Sequence, residues 1–527
     1  MKQLKMNVMK WSSLFFMAAT FTALAACSDS NNDNGTTDTT DPEVTHPAPT
    51  SSSDLYGNLA TSKGILFKNG TQIGNGEQSF CFTGKQTIKK GTYNMVGWIY
   101  VRPGAELTIE AGTIIKGDKT TKAALIVEPG GKVYAEGTAS NPIVFTSAQP
   151  AGSRRPCDWG GLIICGNGTN NNSGGQQIEG GPKTKHGVNQ TENDNSGVFR
   201  YIRVEFAGSV FATDKEINGV TFGSVGSGTT VDHIQVSYSG DDSFEWFGGS
   251  VNCKYLVAYK GWDDDFDTDN GFNGKVQFCL SVRDPRIADT SQSNGFESDN
   301  NGSGDNVDPH TTCTFSNVTL IGPMTSKNLA AGFQNTTDYI NSGNMRPENG
   351  PALGKFQSAM QIRRDSKLNC YNSVALGWPV GLIIDNEKGN CRNYASNGVI
   401  KLQNLFFAGM GVTGSDANKK YDDQLASWSI VNGQPVATYD TTQPSFSTTF
   451  FKGISSNQTL SENDLKLSDP KNLGQNYCPA SGSPLLSSTN VVNLSGFNSV
   501  TYAGAFSGTS DTWMDGWTNF DPQNTSY

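Results

Sequence analysis

From about residue 85 onward, apolar positions alternate with polar ones inside short runs, and no long segment carries the 3.6-residue period of an amphipathic helix. The runs are rich in β-branched residues and are separated by Gly, Asn and Asp, which favour turns. ELTIEAGTIIKG (106–117), ALIVEPGGKVYAEG (124–137), NPIVFTSA, WGGLIICG and FRYIRVEFAG are early examples. Later the self-similarity sharpens. DHIQVSYS, KYLVAYK, VQFCLSVRD, SNVTLIG and YNSVALG each lead into a second short strand, respectively SFEWFG, DFDTDNG, GFESDNN, AMQIRRD and GLIIDN. Phe244 and Phe266 are 22 positions apart and Phe266 and Phe296 are 30 apart, the surplus fitting a loop around Pro285 to Ser293. A period of this length with two or three strands per repeat predicts an all-β solenoid. Its coils stack in parallel sheets at a spacing of about 4.8 Å. A β-propeller or a pair of sandwiches is the alternative, and irregular coil length with aromatics in register argues against both.

This pattern resembles the right-handed parallel β-helix of the pectate-lyase-like superfamily, and implies that fold for residues 56–500. Asn- and Gly-rich stretches near 166–197, 323–357 and 411–446 break the pattern and read as loop insertions. The aromatic end, 501–527, lacks the repeat and is expected to cap the last coil against edge pairing. The first residues are of another kind. Lys2, Lys5 and Lys10 precede an apolar stretch from Trp11 to Ala23 and then Leu24-Ala25-Ala26-Cys27, which reads as a signal peptide over 1–26. The Leu-Ala-Ala-Cys ending resembles the bacterial lipobox, which implies acylation of Cys27 with fatty acids such as palmitate, and a lipid anchor. Residues 27–55 contain almost nothing that can be buried, so they read as a disordered tether reaching roughly 30 Å. Ser28, Asp29 and Asp33 resemble outer-membrane and surface-export sorting signals.

Composition agrees with an extracellular β-protein: 60 Gly in 527 residues and only 17% charged residues. The formal charge of −10 argues against nucleic acid and against direct docking on anionic lipid. Nine cysteines besides Cys27 form no CxxC; Cys253, Cys279 and Cys370 fall at strand positions and read as core. The histidines at 46, 186, 233 and 310 are scattered and make neither a metal-bearing pair nor a catalytic triad.

Aligning the repeats places Phe244, Phe266, Phe296, Met360 and Leu382 in one column. If these fill the core, the neighbouring residues point outward, and that column reads Glu245, Asp267, Glu297, Gln361, Ile383. Two residues on, a second outward column reads Phe247, Asp269, Asp299, Arg363, Asp385. Asp242, Asp264 and Asn294 line up ahead of the strands, with Asp241 and Asp263 beside them. Carboxylates one rung apart repel by about 3 kcal/mol at an effective dielectric of 20. A bound cation, a raised pKa or Arg363 reaching across would compensate. Calcium suits such oxygens, and Asp242, Glu245, Asp264, Asp267, Asp269, Glu297 and Asp299 are the candidate ligands. The plainer alternative is a set of solvated turn and strand-edge acids. Asn270, Asn300 and Asn386 follow the strands at turns, interrupted by Arg364, and resemble the asparagine ladders of β-helices.

Two related families extend the comparison. Gly240-Asp241-Asp242 and Thr268-Asp269-Asn270-Gly271 resemble pieces of polygalacturonase motifs, but in reversed order and without the Gly-His-Gly and Arg-Ile-Lys elements. Similarity to pectate lyases implies instead that Asp267, Asp269, Glu297 and Asp299 hold calcium while Arg363 or Lys260 acts as base. Three functions follow as expectations. The first is a cell-surface lipoprotein that binds an extended ligand, a glycan or other nutrient, beside a TonB-dependent transporter, with Trp262 and Phe247 stacking on sugars; Trp246 reads as core. The second is a calcium-dependent polysaccharide lyase or glycoside hydrolase. The third is an adhesion scaffold stapled by calcium.

Overall fold

In Glu106–Ile109 and Lys132–Glu136 the second and fourth side chains are buried and their neighbours are not, the pattern of a strand with one face on a core. Successive runs of this kind stack in parallel, Leu107 beside Val133 and Val133 beside Gly197. The computed structural model describes residues 67–527 apart from 69–70, 79, 83, 213–214, 344 and 346–353. The expected signal peptide, Cys27 and tether lie outside the described residues. The described chain winds as a right-handed parallel β-helix with a 16-stranded and an 11-stranded sheet. Among the described residues no helix is long and apolar enough to cross a membrane.

The early coils use several short strands, and two of these tracks merge at Gly197–Glu205, which pairs with both Lys132–Glu136 and Ile143–Ser147. From there each coil contributes one long bent strand to the larger sheet. At the bend sits a residue with positive φ: Tyr201, His233, Tyr255, Phe278, Asn317, Asn372 and Asn404. These seven occupy one column, skipped by the regular pairing on either side. The rings in it stack, Tyr201 on His233 at 4.3 Å, His233 on Tyr255 at 4.4 Å and Tyr255 on Phe278 at 4.9 Å. The asparagines take over beyond them: Asn404 Nδ2 donates to Asn372 Oδ1 at 3.0 Å, and Asn372 Nδ2 to Ser316 Oγ at 3.2 Å. Asparagine tolerates the left-handed conformation because its short amide bonds locally. The asparagine ladder is therefore on the larger sheet. Asn300, placed in a ladder by sequence, spends its amide on its own loop, donating to Asp305 O and Val307 O.

The C-terminal segment does not cover the last coil as expected. It runs back along the outside of the larger sheet, over the column of bends. Asn372 Nδ2 donates to Val492 O, Asn317 Nδ2 to Gly504 O, Gln235 Nε2 to Asn519 O and Arg154 Nη1 to Pro522 O. Unpaired polar groups at the bends need partners, and this strap supplies them. The last coil is covered by the helix Phe446–Gly453, whose Phe451 stacks on Phe407 at 4.1 Å.

Inside the helix the aligned column is continuous. Phe244 pairs in register with Phe266, Phe266 with Phe296, Phe296 with Met360 and Met360 with Leu382. Ring centroids are 5.8 Å apart between Phe244 and Phe266 and 5.5 Å between Phe266 and Phe296. Trp246 is core, stacked between Phe222 and Phe272. Each such side chain contributes about 1.5–3 kcal/mol on burial.

Candidate functional site

One residue past the phenylalanine column, Glu245 pairs with Asp267, Asp267 with Glu297 and Glu297 with Gln361. Phe247 pairs with Asp269 two residues further on. The outward acids therefore share one face of the smaller sheet. That face is covered: all six residues of Phe244–Gly249 are buried, outward ones included. Inserted loops form the cover. Asn171 Nδ2 donates to Asn300 O at 2.6 Å, Gly249 N to Thr169 O at 2.6 Å and Tyr421 OH to Gln292 Oε1 at 2.7 Å. Asp241, Asp242, Glu245, Asp263, Asp264, Asp267, Asp269, Glu297 and Asp299 are all buried, none more than 7% exposed.

The acids ahead of the strands form a vertical chain. Asp242 Oδ1 accepts the backbone N–H of Asp264 at 2.8 Å, Asp264 Oδ1 accepts that of Asn294, and Asn294 Oδ1 accepts that of Ser358 at 3.1 Å. The carboxylates thus replace part of the ladder where the strands have not yet begun. Among the described residues, the arginines hydrogen-bonded to these nine acids gather at one end. Arg363 donates through Nε to Asp299 at 2.9 Å and through Nη2 to Glu297, and Arg364 Nη1 lies 3.0 Å from Asp299 Oδ2. Arg283, fully buried, pairs with Asp265 at 2.8 Å beside the strip.

Burial and mutual repulsion hold Asp241, Asp242, Glu245, Asp264 and Asp267 well above the usual carboxylate range. For Asp267 burial is followed by Glu297 and Asp264; for Asp242 by Asp241 and Asp264; for Glu245 by Glu179 and Asp267. Burial and then Asp299 push Asp269 up to about 7, and burial pushes Glu297 up to about 7 against the pull of Arg363. Three overlapping triads bring one oxygen from each member within 4.8 Å of the others: Asp241, Asp242 and Asp263; Asp242, Glu245 and Asp267; Asp264, Asp267 and Glu297. Oxygens so spaced can meet one cation at calcium's distance of about 2.3–2.6 Å. Unpartnered buried oxygens face the same strip: Asp267 Oδ1, Asp263 Oδ1 and the amide Oδ1 of Asn218, whose Nδ2 bonds Glu245. The donor set is all oxygen and fits a hard divalent cation.

The other candidates are placed differently. Trp262 and Phe247 are each 1% exposed and pack in apolar clusters, so neither offers a free ring face to a sugar. Lys260 turns to Asp284, 3.4 Å away, and to the rings of Tyr238 and Tyr259. Burial lowers its pKa, but Tyr238 and Asp284 overcome this and hold it above the ordinary lysine value, contrary to what a base requires. The nine cysteines described are all free. Sequence alignment did not find Asn218, Glu179, Glu216 or Asp289. Glu179 and Glu216 raise the pKa of Glu245 and Asp241 respectively, and Asp289 is itself buried and raised by Asp263. Glu179, Glu216 and Asp289 lie on segments outside the repeat, where register gives no signal. Asn218, by contrast, stands two residues ahead of Val220, which pairs with Phe244, and so extends the column of Asp242, Asp264 and Asn294 by one coil, where register could have found it.

A right-handed parallel β-helix with a roofed strip of carboxylates along one sheet is the class these features define. Residues 81–518 match the model of the pectate-lyase-like β-helix domain, and the chain belongs to that family. No curated protein and no solved structure matches the chain.

Proposed function

We propose that the protein is a lipid-anchored, cell-surface β-helix that binds divalent cations, calcium by its chemistry, and through them an extended ligand such as a glycan, as an accessory to an outer-membrane uptake system. The observation that carries this reading is the overlap of three buried carboxylate triads beside unpartnered oxygens. Asp242, Glu245, Asp264, Asp267 and Glu297 would hold calcium, with Asp269 and Asp299 adjoining. Bound calcium supplies the positive charge that an acidic chain needs to attract an acidic polymer. Binding rather than turnover is favoured because Arg363 is tied to Glu297 and Asp299 and Lys260 faces elsewhere. The anchor rests on Leu24-Ala25-Ala26-Cys27. The test is titration calorimetry of CaCl₂ into chelator-stripped protein, followed by glycan-array binding with and without calcium. Heat of ion uptake and calcium-dependent retention are expected; no heat, or retention indifferent to chelator, overturns the reading.

A calcium-dependent polysaccharide lyase is the second reading, favoured by the family and by Arg363 lying within the strip. It predicts unsaturated, ultraviolet-absorbing products from a uronate polymer, lost in Arg363→Ala while the fold persists.

A further inference from the structure

We infer that the strip holds a file of divalent cations bridged by Asp242 and Asp267, rather than a single ion. This rests on the cation-binding reading above and deepens it. Asp242 belongs to two of the three triads, and so does Asp267. One side is made by Asp241, Asp242 and Asp263, the middle by Asp242, Glu245 and Asp267, and the far end by Asp264, Asp267 and Glu297. The middle triad spans the coils of Phe244 and Phe266, and the far one spans those of Phe266 and Phe296. Neighbouring ions along the axis therefore stand on the order of one strand spacing apart, about 4.8 Å. At that distance two dications are held together only by shared anions, and the two residues common to adjacent triads are carboxylates.

Charge leads to the same number. Ten buried carboxyls line the strip, the nine named above and Asp289, and the arginines bonded to them are Arg363 and Arg364. One divalent ion leaves most of the remainder uncompensated in a site largely shielded from solvent, whereas one ion per triad offsets most of it. The orphan oxygens are also distributed along the strip and not gathered at one point. Asp263, with its unpartnered Oδ1, belongs to the first triad and Asp267, with its own, to the second and third, and Asn218 adjoins Glu245 of the second. Oxygen-preferring ions of calcium's size are the expected occupants.

The experiment is a count of calcium per chain, by native mass spectrometry and by metal analysis after equilibrium dialysis of the mature chain. More than one ion per chain is expected at saturation. Asp267→Asn, which cuts two triads, should lose more ions than Glu297→Gln or Glu245→Gln, each of which cuts one. Circular dichroism establishes that each variant is folded, and the wild-type count stands without any variant. A single ion at saturation overturns the file but leaves the cation-binding reading intact. Equal losses in Asp267→Asn and Glu297→Gln also overturn the bridging role. No ion at all overturns both.

Discussion

Arg363 donates through Nε to Oδ1 of Asp299 at 2.9 Å, so at one end of the strip the chain supplies its own cation. One coil earlier, Asp267 is pressed by burial, Glu297 and Asp264 instead. The strip therefore has an internally neutralised end and a stretch that calls for an external charge. Removing one partner of a buried ion pair leaves an uncompensated charge and costs about 3–5 kcal/mol. Arg363→Ala should destabilise the cation-free protein by about that amount, with Arg363→Lys milder because a point charge replaces the fork. Urea denaturation in chelator measures this, and a change below about 1 kcal/mol would contradict the ion-pair assignment.

The raised carboxyls give a signed pH dependence. Asp269 and Glu297 move from ordinary values of 3.8 and 4.5 up to about 7 in the folded chain. The stability associated with such groups is complete below the ordinary carboxylate range and is lost as pH rises through about 7. In chelator, the thermal midpoint should therefore be higher at pH 5 than at pH 8. Added calcium should raise it more at pH 8, because protons compete for the same oxygens at pH 5. Differential scanning fluorimetry across this range is the check; a midpoint that climbs with pH in chelator would refute the account.

Phe266 is packed between Phe244, on which it stacks, and Phe296, and has no exposed surface. Phe266→Ala should cost about 3–5 kcal/mol through lost transfer and an unfilled cavity. Because Asp267 is its neighbour, calcium affinity should fall in the same variant. Chemical denaturation and calorimetry on one preparation test both.

Asn372 is fully buried at φ 48° and exchanges two bonds with Val492 while bonding Ser316 and Asn404. Asn372→Ala leaves several buried groups unpaired, each costing about 1–3 kcal/mol. Residues 490–504 should then lose amide-exchange protection while the strip keeps its calcium. Asn372→Gly should release the strap as well, since the lost groups are those of the amide and not of the backbone.

Period-two alternation and coil length are local properties, and from them the sequence by itself determined the β-helix, the phenylalanine column and the pairing of Glu245, Asp267 and Glu297. A one-residue slip would have turned every core ring to solvent, so register was legible from residues alone. The loop paths were not, because they depend on contacts made far away along the chain. Only the tertiary structure decided that the acids lie under a roof, that Trp262 and Phe247 are buried, and that Glu179, Glu216 and Asp289 join the strip. It also decided that the asparagine ladder belongs to Asn317, Asn372 and Asn404, and that the C-terminal segment lies along the larger sheet. A column of left-handed bends leaves polar groups unpaired until another segment covers them, and nothing in the repeat says which segment that will be.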